Sequence, residues 1–221
     1  MIRGVFVTGT DTNVGKTVVA AALMHRCRSI SNLRYWKPIQ TGVEQDDDTA
    51  AVARLGACRR EELFTRGVRL RQPLSPHAAA ALSEMRISMD QLRAYVASEP
   101  AEARWIVEGA GGVLVPINET DLMVDWMAVL AMPVVVVARS TLGTINHTLM
   151  TLEALRRRSL EVAGVVMVGE KNEGNREAIE RFGGAAILGE MPRFRDLTPE
   201  AVAQWASTEL DPAGRLLRCF Q

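Results

Sequence analysis

The sequence predicts an α/β fold of three layers: a doubly wound, mostly parallel sheet with helices on both faces. Three observations predict it. Short apolar runs alternate with helical patterns along the whole chain. The run Val134-Val135-Val136-Val137 has no polar residue, as a parallel strand covered on both faces requires. And 221 residues without a linker-like stretch are enough to bury one core, so a single domain over residues 1–221 is expected.

The elements follow in order. Val5-Phe6-Val7 reads as a strand that runs into a glycine-flanked loop. A helix from Lys16 to Arg28 follows, its Ala20-Ala21-Ala22 allowing close packing on a sheet. Leu33 to Trp36 forms a second strand, and Pro38 keeps Lys37 in extended backbone at its end. After the acidic loop Glu44–Asp48, a helix is expected through Leu55. Ser75-Pro76-His77 opens an alanine-rich helix, with proline where its missing N–H costs nothing. Ser88 opens another, to about Ser98. Trp105 to Glu108 is a buried strand entering a loop, Gly109-Ala110-Gly111-Gly112. A helix near 122–131 leads to the valine strand. Helices at 145–158 and 174–182, strands at 163–168 and 185–188, and a last helix from Thr198 complete the reading.

Such sheets bind ligands beyond the carboxyl ends of their strands. Thr12, Lys37, Glu108 and the segment Arg139–Asn146 all follow strands, so they are expected on one rim. The first loop carries the strongest signal. Gly9-Thr10-Asp11-Thr12-Asn13-Val14-Gly15-Lys16-Thr17, between a strand and a helix, is a P-loop. Its backbone N–H groups and the helix N-terminus make an anion cradle. Lys16 reaches outer phosphates, and the Thr17 hydroxyl is a magnesium ligand. Thr10 stands where the common pattern has its first glycine, marking a variant loop whose middle residues are free to face a second substrate.

Composition narrows the classes. Lys plus Arg number 26 and Asp plus Glu 26, so no net field recommends nucleic acid or an anionic membrane. Cys27, Cys58 and Cys219 are scattered and lack metal spacing, and read as reduced cytosolic thiols. No signal-peptide pattern precedes the first strand, and the apolar stretch 126–138 is too short to span a bilayer. A soluble cytoplasmic protein is expected.

A nucleotide's magnesium needs hard oxygen ligands, usually with one or two carboxylates from the protein. Glu108, a carboxylate at the tip of a core strand, is the first candidate. Asp48 adjoins Asp46 and Asp47, and the run reads equally as a ligand, a solvated loop or a helix start. Lys37 is either a second cation for a transferring phosphate or a lysine at a turn. Thr41 either adds a hydroxyl to that rim or serves the turn with Gly42. His25, His77 and His147 lack metal-ligand spacing, and structural roles suit them better.

Taken together, Thr8 to Thr17, Trp36-Lys37-Pro38-Ile39-Gln40-Thr41-Gly42, Ser75-Pro76-His77, Val107 to Gly112 and Leu142-Gly143-Thr144-Ile145-Asn146-His147 resemble the successive motifs of the dethiobiotin synthetases, P-loop NTPases by fold. The resemblance runs in order from residue 5 to about 194. It implies ATP-dependent carboxylation and ring closure of 7,8-diaminononanoate with CO2, through a carbamate and a carbamic–phosphoric anhydride. By the same resemblance Lys37 and Lys16 are the active-site cations, and Asn13, Val14, Gly15, Lys16, Thr17 and Val18 hold the phosphates. Thr17, Asp48 and Glu108 hold Mg2+, Thr12 and Thr41 face the diamine and carbamate, and Gly109, Ala110 and Gly111 line the cleft. Pro192, Arg193 and Phe194 lie beside the base. The family is a homodimer, so Asn146 serves the other copy's site or simply caps a helix. Val168-Gly169-Glu170 stands where many members carry an Asn-Asp pair that reads adenine, which leaves base choice open.

Two rivals were weighed. An amide-forming cobyrinic acid synthase needs a glutaminase domain for which this chain has no room. A dimeric ATP switch of the septum-positioning or partitioning type needs an early second lysine, and Thr10-Asp11-Thr12 offers none.

Overall fold

The computed structural model describes residues 2–221. From the first strand, β1 (Arg3–Gly9), the chain passes through the P-loop into α1 (Lys16–Arg26). Then come β2 (Leu33–Trp36), β3 (Ile39–Gln40), α2 (Asp48–Leu55), a 3-10 turn at Arg60–Glu62, β4 (Leu63–Phe64) and β5 (Val68–Arg69). The next elements are α3 (Pro76–Leu82), α4 (Met89–Ala97), β6 (Arg104–Gly112), α5 (Met123–Leu130) and β7 (Val134–Arg139). Finally α6 (Thr144–Arg156), β8 (Val162–Val168), α7 (Glu173–Gly183), β9 (Ile187–Met191) and α8 (Pro199–Thr208) lead to a 3-10 turn at Leu216–Phe220.

Among the described residues, seven strands make one sheet in the order β4-β2-β6-β1-β7-β8-β9, with every neighbouring pair parallel. The sheet winds outward from β1 in both directions, as the sequence predicts. The gap between β6 and β7, on either side of β1, is where connections diverge and ligands enter. The short strands β3 and β5 pair apart from the main sheet.

Alternate residues of each strand feed opposite cores. Phe6, Trp36, Val107, Val134 and Val136 face α3 to α7, while Val5, Val7, Tyr35, Ile106, Val135 and Val137 face α1, α2 and α8. All four valines of residues 134–137 are fully buried, each contributing about 1.5–3 kcal/mol. On the first face Trp36 packs against Phe64, Trp105 and Trp126, with ring centroids 5.6, 6.1 and 6.0 Å away. In the middle of the sheet β1 and β6 approach so closely that a Cβ on Gly4, at φ 136°, would lie 1.9 Å from the Trp105 carbonyl oxygen.

Helix ends agree with the sequence to within about two residues, the scatter such boundaries carry. Ser88 and Thr198 cap their helices as read, accepting bonds from Gln91 N and Ala201 N. Two expectations are corrected, and three strands are new. The strand placed at 185–188 lies at 187–191, because its pairing with β8 continues through Gly189 and Glu190, residues that hide it from an apolar pattern. The glycines after Glu108 are not a loop but the end of β6, since Gly112 still pairs with Gly9. The two-residue strands β3, β4 and β5 are too short for periodicity to show. Among the described residues no helix is long and apolar enough to cross a membrane.

Candidate active site

The carboxyl ends of β1, β2 and β6 open on a cleft of about 790 Å³. Its walls include Thr12, Asn13, Gly15, Lys16, Thr17 and Val18 from the P-loop, and Lys37, Thr41 and Asp48 from the segment after β2. Glu108, Ala110 and Gly111 of β6 line it too, with Ser75 and Pro76 at the start of α3.

The P-loop is shaped by backbone. Asn13 (φ 55°) and Gly15 (φ 102°) both take left-handed conformations, and Gly15 is the N-cap of α1. A side chain on Gly15 would press on Val168 at 3.3 Å, so glycine also lets the loop rest on the end of β8. Val14 is buried beneath the loop and does not line the cleft. The Lys16 ammonium donates to the Asp11 carbonyl at 3.0 Å. Asp11 in turn pairs with Arg139 at the end of β7. Its carboxylate accepts the Thr12 N–H at 2.7 Å, which holds Asp11 below the usual carboxylate range.

The central cluster joins three segments. Pairing of β2 with β6 brings Trp36 opposite Val107, so Lys37 and Glu108 come next, side by side. Lys37 Nζ lies 2.8 Å from Glu108 Oε1 and 2.7 Å from Asp48 Oδ2, and donates to the Gly109 carbonyl at 3.0 Å. Thr17 Oγ1 lies 2.9 Å from Asp48 Oδ1 and 3.0 Å from Glu108 Oε1. The Tyr35 hydroxyl donates to Glu108 Oε2 at 2.8 Å.

Each aspartate of the acidic run has its own place. Asp46 is exposed, and its carbonyl accepts Gln40 Nε2 at 2.7 Å. Asp47 caps α2 by accepting the Ala50 N–H at 3.0 Å. Asp48, first residue of α2, turns inward to Lys37 and Thr17.

Electrostatics follow from this packing. Burial alone would lower the Lys37 pKa, but Glu108 and Asp48 outweigh it and hold the ammonium above its ordinary value. Burial raises Asp48, yet the Lys37 charge and hydrogen bond leave it below its ordinary value. Lys16 lacks such close partners: burial, then repulsion from Lys37, pushes it down to about 8. Burial, then the Glu108 charge, drives the Tyr35 hydroxyl well above its ordinary value, so it stays a donor. Cys27 and Cys58, pushed by burial up to about 12 and about 11, are poor nucleophiles.

The donor set fits a small hard cation. Asp48 Oδ1 and Glu108 Oε1 both bond to Thr17 Oγ1, and one hydroxyl proton cannot serve both carboxylates fully. Among the described residues no group of three or more His, Cys, Asp and Glu is placed to cage a metal.

The structure thus brings Thr12, Thr17, Lys16, Lys37, Thr41, Asp48 and Glu108 together. Gly109 sits just behind, its carbonyl on Lys37. Val14 and Gly109 do not line the cleft, and Asn146 and the segment 192–194 lie outside it too. Asn146 is exposed in the first turn of α6 and is not its cap, which is Gly143. Pro192, Arg193 and Phe194 follow β9, whose last residue, Met191, comes within 3.6 Å of the Cβ position on Gly15. Sequence reading missed Tyr35, although it lies on β2 only two residues before Lys37, which follows that strand's end.

Comparison with known proteins agrees with this geometry. Residues 3–201 match a family model described as an AAA domain. The chain is 52% identical to an ATP-dependent dethiobiotin synthetase of Paramagnetospirillum magneticum, covering 91% of this chain and 94% of that one. It is 41% identical to one of Agrobacterium fabrum, with 90% of each covered. It also aligns at 46% identity, over 92% of its length, with 42% of a biotin biosynthesis bifunctional protein of Bordetella avium. Among solved structures, a ParA family ATPase of Chlorobium tepidum superposes with a TM-score of 0.58 at 8% identity, over 93% of this chain and 98% of that one. The septum site-determining protein of Pyrococcus horikoshii, solved with Mg-ADP, gives 0.57 at 15% identity, over 100% and 95%. These last two share the fold.

Proposed function

The chain belongs to the AAA-domain family and, within it, to the ATP-dependent dethiobiotin synthetases, and from that premise we propose how its residues divide the reaction. It is a cyclo-ligase of biotin biosynthesis with ATP as co-substrate. One amine of 7,8-diaminononanoate adds to CO2 and loses a proton, giving a carbamate. A carbamate oxygen then displaces ADP from the γ-phosphorus, and the second amine attacks the resulting anhydride, expelling phosphate as the cyclic urea closes.

One observation carries the assignment: Thr17, Lys37, Asp48 and Glu108, from three separate segments, meet within hydrogen-bond distance beside the P-loop. Asn13 to Val18 and Lys16 take the phosphates, with Ala110 and Gly111 as the opposite wall and Gly109 behind it, its carbonyl on Lys37. Thr17, Asp48 and Glu108 are the residues to hold Mg2+, which when bound neutralises phosphate oxygens and draws charge from the leaving group. Lys37 supplies positive charge where carbamate and phosphoryl group, both anionic, must approach. Its ion pairs with Asp48 and Glu108 keep it protonated for that role. Thr12 and Thr41 line the same cleft and are assigned to the diamine and carbamate. Pro192, Arg193 and Phe194 leave β9 where it abuts the P-loop and are assigned to the base. We further assign a single domain, a cytoplasmic location and a homodimer in which the exposed Asn146 serves the neighbouring copy's substrate.

The test supplies Mg-ATP, bicarbonate and 7,8-diaminononanoate. Phosphate release that requires both co-substrates, with a ureido product by mass, is expected. Phosphate release indifferent to the diamine would return the chain to the ATP-switch class, for which only likeness of fold now speaks.

A further inference from the structure

Glu108 is fully buried, and its two oxygens are used differently. Oε1 faces Lys37 and Thr17, the groups of the cleft, while Oε2 receives the Tyr35 hydroxyl from behind. Tyr35 is itself fully buried and does not line the cleft. Phenylalanine would fill the same core space, and a buried hydroxyl is costly unless it is bonded. Register explains the meeting. Tyr35 pairs with Ile106, both side chains enter the α1 face, and Glu108 is the next residue of β6 on that face.

We propose that Tyr35 is a positioning residue that fixes the Glu108 carboxylate so that Oε1 alone is presented to the cleft. The proposal rests on the reading of Glu108 as a magnesium ligand. A carboxylate held by one oxygen suits Mg2+, which demands near-octahedral geometry and short bonds. One free to turn and offer both oxygens suits Ca2+, which accepts bidentate carboxylates and more ligands. Tyr35 therefore sets not only the affinity for the ion but the choice between ions. Removing its hydroxyl leaves Oε2 without a donor, and the side chain turns to accept a hydrogen bond from Lys37 or to place Oε2 as a second ligand on the metal.

The experiment uses the whole chain with a non-hydrolysable ATP analogue, and Mn2+ as a magnetic probe displaced by Mg2+ or Ca2+. In Tyr35→Phe, Mn2+ and Mg2+ are expected to bind about tenfold more weakly to the nucleotide complex, the usual effect of losing a partner behind a metal ligand. Ca2+ loses less, so the Mg2+-to-Ca2+ preference shrinks. Analogue binding in EDTA stays as in wild type. Unchanged metal affinity and preference, or an equal loss in EDTA, would overturn the proposal. Glu108→Gln separates the two readings. If it binds Mn2+ as wild type does, the metal assignment falls and the Tyr35 role with it. If it loses Mn2+ while Tyr35→Phe keeps it, the tyrosine alone is rejected. A second measurement does not depend on the folding of Tyr35→Phe. The chain has two tyrosines, so Tyr95→Phe, on α4, leaves Tyr35 as the sole resonance Raman tyrosine signal. A hydroxyl donating strongly to carboxylate, with and without Mg2+, is expected; a signal from a free or accepting hydroxyl in the loaded protein would overturn the proposal.

Discussion

Lys37 Nζ stands 2.7 Å from Asp48 Oδ2, a bond that closes the acidic loop over the end of β2 and ties the ammonium to a carboxylate we assign to the metal. Asp48 and Glu108 together carry two negative charges against the one on Lys37. Lys16 is the next cation, coupled by charge to both carboxylates though bonded to neither.

Lys37→Ala is expected to lower kcat by about 10²–10³-fold, the usual effect of removing a donor aimed at developing charge. Affinity for Mg-ATP changes only a few-fold, because Lys16 and the P-loop backbone remain. Steady-state kinetics beside equilibrium nucleotide binding read the split, and an unchanged kcat would remove Lys37 from the chemistry.

The three adjacent aspartates are expected to part company. Asp46→Ala leaves both stability and rate as they are. Asp47→Ala removes the cap of α2 and costs about 1 kcal/mol in urea unfolding with kcat intact. Asp48→Asn raises the Mg2+ concentration for half-maximal rate about tenfold or more. Equal effects from all three would mean that the run acts only through its summed charge.

Lys16 gives a pH signature. Its pKa is lowered to about 8 by burial and by Lys37, so the ammonium is charged below that pH and neutral above it. The free enzyme's kcat/KM for ATP should therefore fall as pH rises through about 8, approaching tenfold per unit. Lys16→Arg, less active but always charged, should lack this break in a pH–rate profile.

Gly4 is a stability test far from the chemistry. An alanine there would strike the Trp105 carbonyl in the middle of the sheet and hold a strained φ of 136°. Gly4→Ala is expected to cost about 3 kcal/mol or more, read by chemical denaturation. A variant as stable as wild type would mean that β1 and β6 lie farther apart than described.

Much of this was legible from residue order, for identifiable reasons. The P-loop announces itself because backbone geometry demands Gly15 and chemistry demands Lys16 and Thr17. The valine strand does so because burial on both faces permits nothing polar. Glu108 stood out as an acid among core residues. What stayed hidden depends on contacts distant in sequence. Asp48 is distinguished from its neighbours only by the direction it takes on entering α2. Tyr35 reads as an aromatic of a core strand until register places it against Glu108. The short ladder of β3 and β5, which shapes the approach to Thr41, rests on two residues a side, below any periodic signal.

Trp36 adjoins Lys37 in the chain, and its indole is packed among Trp105, Trp126 and Phe64. Three of the molecule's four tryptophans therefore stand in one packed group that begins at the residue before Lys37. The stack is an optical gauge by position: a ligand that displaces the chain at Lys37 is expected to disturb it, and unlabelled ultraviolet emission measured during a nucleotide titration reads that change.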